Sequence, residues 1–137
     1  MMKRLLSACA FVLALWIAVP ADAHHSMTGF DRQKTVTLTG TIKGFGWVNP
    51  HSWIEMEVPN AKGGVDTWNV EMTAPGVLAK AGWKSNTLKP GDKVSVAVHP
   101  LITGEPGGLF VSVTLANGTV MMERGQPQTP GAAAPKQ

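Results

Sequence analysis

The sequence predicts an all-β fold, a small OB-like antiparallel β-barrel with one short helix. Three observations carry this expectation. Five short runs alternate apolar and polar residues. One helical stretch, Thr73 to Gly82, separates the third run from the fourth. Glycines stand where the first run would have to curl, at Gly40 and Gly44. That order of strands and helix matches an OB-type barrel. An open antiparallel sandwich with the helix at one end is the alternative, but it gives the two glycines no task.

In the first run Val36, Leu38, Gly40 and Ile42 share one face, and Thr37, Thr39, Thr41 and Lys43 the other. The apolar positions then change from even to odd, to Phe45 and Trp47, which predicts a bulge near Gly44. After the turn pair Asn49-Pro50, Ser52, Ile54, Met56 and Val58 point inward, while His51, Trp53, Glu55 and Glu57 point outward. A loop at Lys62-Gly63-Gly64 precedes a third strand, with Trp68, Val70 and Met72 inward and Thr67, Asn69 and Glu71 outward. In a hairpin of these two strands Glu71 would lie near Glu55 or Glu57. Pro75 suits the first turn of the helix, Gly82 ends it, and Trp83 is expected to pack it down. Lys89-Pro90-Gly91-Asp92 is a turn into a fourth strand with Val94, Val96 and Val98 inward and His99 outward. Pro100 would end that ladder or confine it to a sheet edge, leaving room for a dimer. A fifth strand is expected with Leu109, Val111, Val113 and Leu115 inward, and Asn117-Gly118 can return a short sixth through Val120 and Met121.

The two ends set compartment and domain limits. Lys3 and Arg4, an apolar run from Leu5 to Val19 and a small-residue site ending at Ala23 predict a signal peptide over residues 1–23. The run is shorter than the roughly 18 residues of a spanning helix, so no membrane span is expected after cleavage. Leu6-Ser7-Ala8-Cys9 matches a lipid-attachment site in form, but most of the apolar run still follows Cys9. Removing Lys3, Arg4 and Asp22 takes the formal charge from +3 to +2. A nearly neutral exported chain is not a nucleic-acid binder. Cys9, the only cysteine, leaves with the leader, so the domain has no disulfide to rely on. The barrel is expected over residues 24–122. Residues 123–137, rich in Pro, Gly, Ala and Gln, read as a disordered tail.

His24-His25-Ser26, Phe30-Asp31, Val36-Thr37-Leu38-Thr39-Gly40, Asn49-Pro50-His51-Ser52-Trp53-Ile54, Gly82-Trp83 and Leu88-Lys89-Pro90-Gly91-Asp92 together resemble a family of short exported bacterial proteins. That family is known only as a domain of unknown function. The resemblance implies a periplasmic protein with a histidine-led amino terminus, and it brings no activity. Thr35 to Ile42 is also similar, more weakly, to the first strand of bacterial envelope OB-fold proteins.

The histidines are the candidate chemistry. Cleavage after Ala23 leaves His24 first, able to chelate through its amine and its ring Nδ1. A further imidazole would complete three nitrogens in the arrangement Cu(II) favours. His25, His51 and His99 are the other candidates, and His51 and His99 both fall on polar faces. Cleavage after Ala21 would leave histidine third from a free amine, which also suits Cu(II) or Ni(II). Taken singly, each has a plainer role: a solvated terminus for His24 and His25, a strand cap for His99, a turn packing group for His51. Structural zinc would call for cysteine. Met56 and Met72 read as core rather than as Cu(I) ligands.

Copper enzymes that attack polysaccharides share the terminal-histidine ligand arrangement, and that arrangement alone is similar here. No nucleophile triad, Gly-x-Ser-x-Gly or phosphate loop is present, and alternating glutamates on a strand are ordinarily a solvated face, so catalysis is not expected. The competing expectation is a metal-free envelope module. It would bind a small cationic or sugar-like ligand, or a protein partner, on the face of strands two and three, where Trp53, Glu55, Glu57, Asn69 and Glu71 lie.

Overall fold

The computed structural model describes residues 29–130. The elements follow as β1 (Val36–Gly46), β2 (Trp53–Pro59), β3 (Val65–Glu71), α1 (Pro75–Lys80), β4 (Lys93–Pro100), β5 (Gly107–Thr114) and β6 (Val120–Met122). The strands lie in the order β3-β2-β1-β4-β5-β6, and β3 also pairs with β5, closing five of them into a barrel. Every pairing is antiparallel except the closing one, which is parallel. The expected small all-β barrel with one helix between its third and fourth strands is the architecture found. No helix among the described residues is long and apolar enough to cross a membrane.

β1 serves both halves of the barrel, pairing with β4 through Val36–Thr41 and with β2 through Thr41–Gly46. The phase change seen in its sequence is a bulge. Ile42 faces Met56 and Gly44 faces Glu55, so Lys43 is the extra residue. It bends the strand while keeping Ile42 buried. Glycine at Gly40 has a steric cause, because a Cβ there would run into the Glu57 carbonyl. The interior is filled from all five barrel strands, with Ile54, Met56, Val70, Val96, Val98 and Val113 wholly buried. α1 adds Leu78, and Trp83 follows it into the core. The Trp83 ring meets Phe45 and Phe110, and its Nε1–H donates to the Met122 carbonyl at 2.8 Å.

Glu71 faces Trp53, whereas Glu55 faces Asn69 and Glu57 faces Thr67, so Glu71 is the diagonal neighbour of Glu55 and lies a step further from Glu57. Alternation gives the face of a strand but not its register. Three sequence expectations need correction. β4 is not an edge, since it pairs with β1 on one side and β5 on the other, and Pro100 sits within the ladder opposite Gly108. In β5 the buried residue is Phe110, while Leu109 and Val111 are only half-buried. There Val98 faces Phe110 and Ala97 faces Ser112, so Val111 is an extra residue that shifts the phase. Finally, residues 123–130 stay with the domain although most are exposed. Gln128 and Val120 exchange two backbone hydrogen bonds of 2.8 Å, and Glu123 is bonded to Thr73. Residues 131–137 of the expected tail, with the expected leader, His24 and His25, lie outside the described residues.

Gly40→Ala is expected to destabilise the protein by about 1–3 kcal/mol, because the obstacle is a backbone carbonyl on the neighbouring strand. Denaturant unfolding would show a lower midpoint with an unchanged slope. An unchanged midpoint would mean that β1 and β2 can separate there at no cost.

Candidate functional site

The closing pair creates an arrangement that no single strand contains. Trp53 faces Glu71, Glu71 faces Leu109, and Leu109 faces His99, so one row crosses β2, β3, β5 and β4. None of these four residues is buried. His51 stands just before β2, after the Asn49–Pro50 bond, which is cis. Two backbone hydrogen bonds fix the following residue, from Ser52 N–H to the Thr73 carbonyl and from Met72 N–H to the Ser52 carbonyl. His51 Nδ1–H then donates to Glu71 Oε1 at 2.7 Å.

The His51–Glu71 pair lies between two clefts and lines both. One, about 400 Å³, is lined by His99, Leu109, Met72, Glu123, Arg32 and Arg124 as well. The other, about 470 Å³, runs between the β1–β2 and β4–β5 connections, over Trp53, Asn69 and Val70, with Phe30, Leu101, Glu105 and Pro106 around it. In barrels of this type the β2–β3 face flanked by those two connections is where ligands bind.

Both described histidines are held through the same ring nitrogen. His99 Nδ1 is 2.8 Å from the Lys34 carbonyl, which can only accept, so Nδ1 carries the proton. His51 gives its Nδ1 proton to a carboxylate. A metal-binding imidazole is characteristically oriented in just this way, with one nitrogen tied to a carboxylate or carbonyl and the other addressed to the ion. Among the described residues no group of three His, Cys, Asp or Glu stands as a metal site. His51 and His99 share a cleft, and any remaining donors must come from elsewhere.

The acidic face expected on β2 and β3 divides. Lys43, projected by the bulge, has its Nζ 3.4 Å from Glu55 and 3.6 Å from Glu57. Glu71 is taken up by His51, and only Trp53, Asn69 and Glu71 of that set line the larger cleft. Trp53 is 42 % exposed and lies across the backbone of Gly46, where any Cβ would overlap its indole. An aromatic laid over a cross-strand glycine is a structural device in its own right.

Alternation placed Ser52 inward, where it is buried, but gave no sign of Phe30, Glu105 or Glu123. Glu123 fell in the expected tail, and nothing near it in sequence marks a partner. Its carboxylate accepts the Thr73 N–H at 2.7 Å, tying the segment after β6 to the end of β3 beside His51. Burial pushes the Glu123 carboxyl above its ordinary range, against the lowering effects of the Thr73 hydrogen bond and of the positive charges of Arg124 and His51.

A family model described as a family of unknown function (DUF6152) matches residues 12–111, a span holding β1 to β4, α1 and the first half of β5. The chain belongs to that family. No curated protein and no solved structure matches it.

The raised Glu123 value has a definite consequence for stability. Above the ordinary glutamate value of 4.5 the folded protein holds this proton more tightly than the unfolded chain. Stability from this group is therefore full below that value and is lost as pH rises through the folded one. Glu123→Gln keeps an acceptor for Thr73 and has no charge to desolvate. Its unfolding midpoint relative to the parent should be higher at pH 7 than at pH 4.5. A difference independent of pH would show that the carboxyl is not perturbed by folding.

Proposed function

We propose that the mature protein is a periplasmic binding protein, without catalysis, whose ligand site is the barrel wall organised by the His51–Glu71 pair, with Cu(II) as its ligand. The observation that supports this most is that His51 and His99, from different parts of the chain, line one cleft with both Nδ1 atoms committed to hydrogen bonds. With Nδ1 held by the Lys34 carbonyl, Nε2 is the nitrogen by which the His99 ring would meet an ion, His51 lines the same cleft, and imidazole suits Cu(II). The remaining donors come from His24, whose amine and ring would follow from cleavage after Ala23. Phe30, at the start of the described chain, bridges Leu101 beside His51's other cleft. The stretch from His24 to Phe30 can span up to about 20 Å, so the terminus has the reach. His25 is the alternative donor on the same stretch.

A second, metal-free reading rests on a separate observation. Exposed Trp53 borders the larger cleft on the face where barrels of this type take ligands. On that reading a small organic ligand occupies the Trp53 cleft and the histidines serve only to shape it.

Cu(II) titrated into the mature protein beginning at His24 should bind one-to-one. An extra residue before His24 and His51→Ala should each weaken binding by about tenfold or more. Glu71→Gln should also weaken it by about tenfold, through loss of the bond that orients His51. Equal, weak binding by all four proteins would dismiss copper and leave the Trp53 cleft.

A further inference from the structure

The larger cleft combines features that single out one class of ligand. Its apolar surface comes from Trp53, Phe30, Leu101, Val70 and Pro106. Among the described residues that line it there is no lysine or arginine, and it holds the carboxylates Glu71 and Glu105, with the His51 imidazole beside Glu71. Glu55 and Glu57, already countered by Lys43, do not line it. A second and independent sign of a ligand is Ser52. It lines the same cleft, is wholly buried, and its Oγ has no hydrogen-bond partner among the described residues. A buried hydroxyl of that kind lacks the partner that most buried polar groups have, and a ligand or a water can supply it.

We infer that this cleft takes a small organic cation, a protonated amine on a flat apolar body. This rests on the metal-free reading of the Trp53 cleft and adds the charge and shape of the ligand. The flat body lies against Trp53 and the neighbouring apolar side chains, and the ammonium lies near the carboxylates. The ammonium gains from the indole face and from Glu105 and Glu71 together, while an anion would lie against the same two carboxylates. An N–H reaching the inner end of the cleft would find the Ser52 oxygen as its acceptor. Glu105 sits in the exposed β4–β5 connection, where Thr103 Oγ1 approaches it at 3.2 Å and where its side chain can turn toward a ligand without repacking the core.

The test uses three probes of nearly equal shape, phenethylammonium, 2-phenylethanol and phenylacetate, titrated calorimetrically into the metal-free mature protein. Phenethylammonium should bind about tenfold more tightly than the alcohol, with phenylacetate weakest. Glu105→Gln should remove several-fold of the ammonium's advantage while leaving the alcohol unaffected, and Trp53→Phe should weaken both. Glu55→Gln, outside the cleft, should change neither. Equal binding of ammonium and alcohol would overturn the assignment of charge and leave the metal-free cleft standing. No binding of any probe would overturn both. An ammonium preference untouched by Glu105→Gln and Trp53→Phe would place the cation elsewhere and overturn the inference.

Discussion

Barrel closure depends on a short parallel contact between β3 and β5, made by Asn69, Val70 and Glu71 against Gly107, Gly108 and Leu109. Parallel pairing is slightly the weaker kind per residue, and here only three residue pairs provide it. The same edge of β5 then turns to β6 at Ser112–Thr114, so two partners divide it. Glu123 links the two partners by accepting the Thr73 N–H. The row Trp53, Glu71, Leu109 and His99 crosses this seam. Closure joins Glu71 to Leu109 and hence to His99, and without it the two described histidines would be connected only the long way round, through β1 of an open sheet.

Charge is distributed so that the seam differs from the rest of the outer face. The bulge in β1 sends Lys43 to Glu55 and Glu57, an exposed pairing of a kind that adds little stability. Its effect is on which carboxylates are left to address a ligand. Glu71 and Glu105 border the Trp53 cleft, and Glu71 at once orients His51. One carboxylate therefore bears on both clefts, so a ligand that draws on Glu71 from the Trp53 side competes with the hydrogen bond that aims His51 on the other. The two proposed ligand classes are linked through a single side chain.

Much of the barrel was legible in the sequence because period-two alternation records burial directly. The switch from Ile42 to Phe45 marked the β1 bulge to within a residue, and the place of Pro75 and Gly82 marked the helix. What alternation records is the face of each residue, not its neighbour across the ladder. His51, Trp53, Glu71 and His99 were each legible as outward, yet their meeting depends on register and on the β3–β5 closure, which leave no local trace. The second bulge, at Val111, escaped notice because Leu109, Phe110 and Val111 are all apolar and show no change of phase. Residues 123–130 misled in the opposite way. Their composition resembles a linker, while backbone bonds at Gln128 and the Glu123 carboxylate hold them to the domain. His24 and His25, the starting point for the copper reading, lie outside the described residues, so their part rests on chemistry and chain reach alone.

The most direct test of the central claim, that the His51–Glu71 seam is where this protein takes its ligand, is paramagnetic broadening of its backbone amide NMR signals by substoichiometric Cu(II). Signals from His51, Glu71, His99 and Leu109 should broaden first, while those of Lys43, Glu55 and Glu57 persist. Broadening centred on Glu55 and Glu57, or spread evenly over the surface, would contradict it.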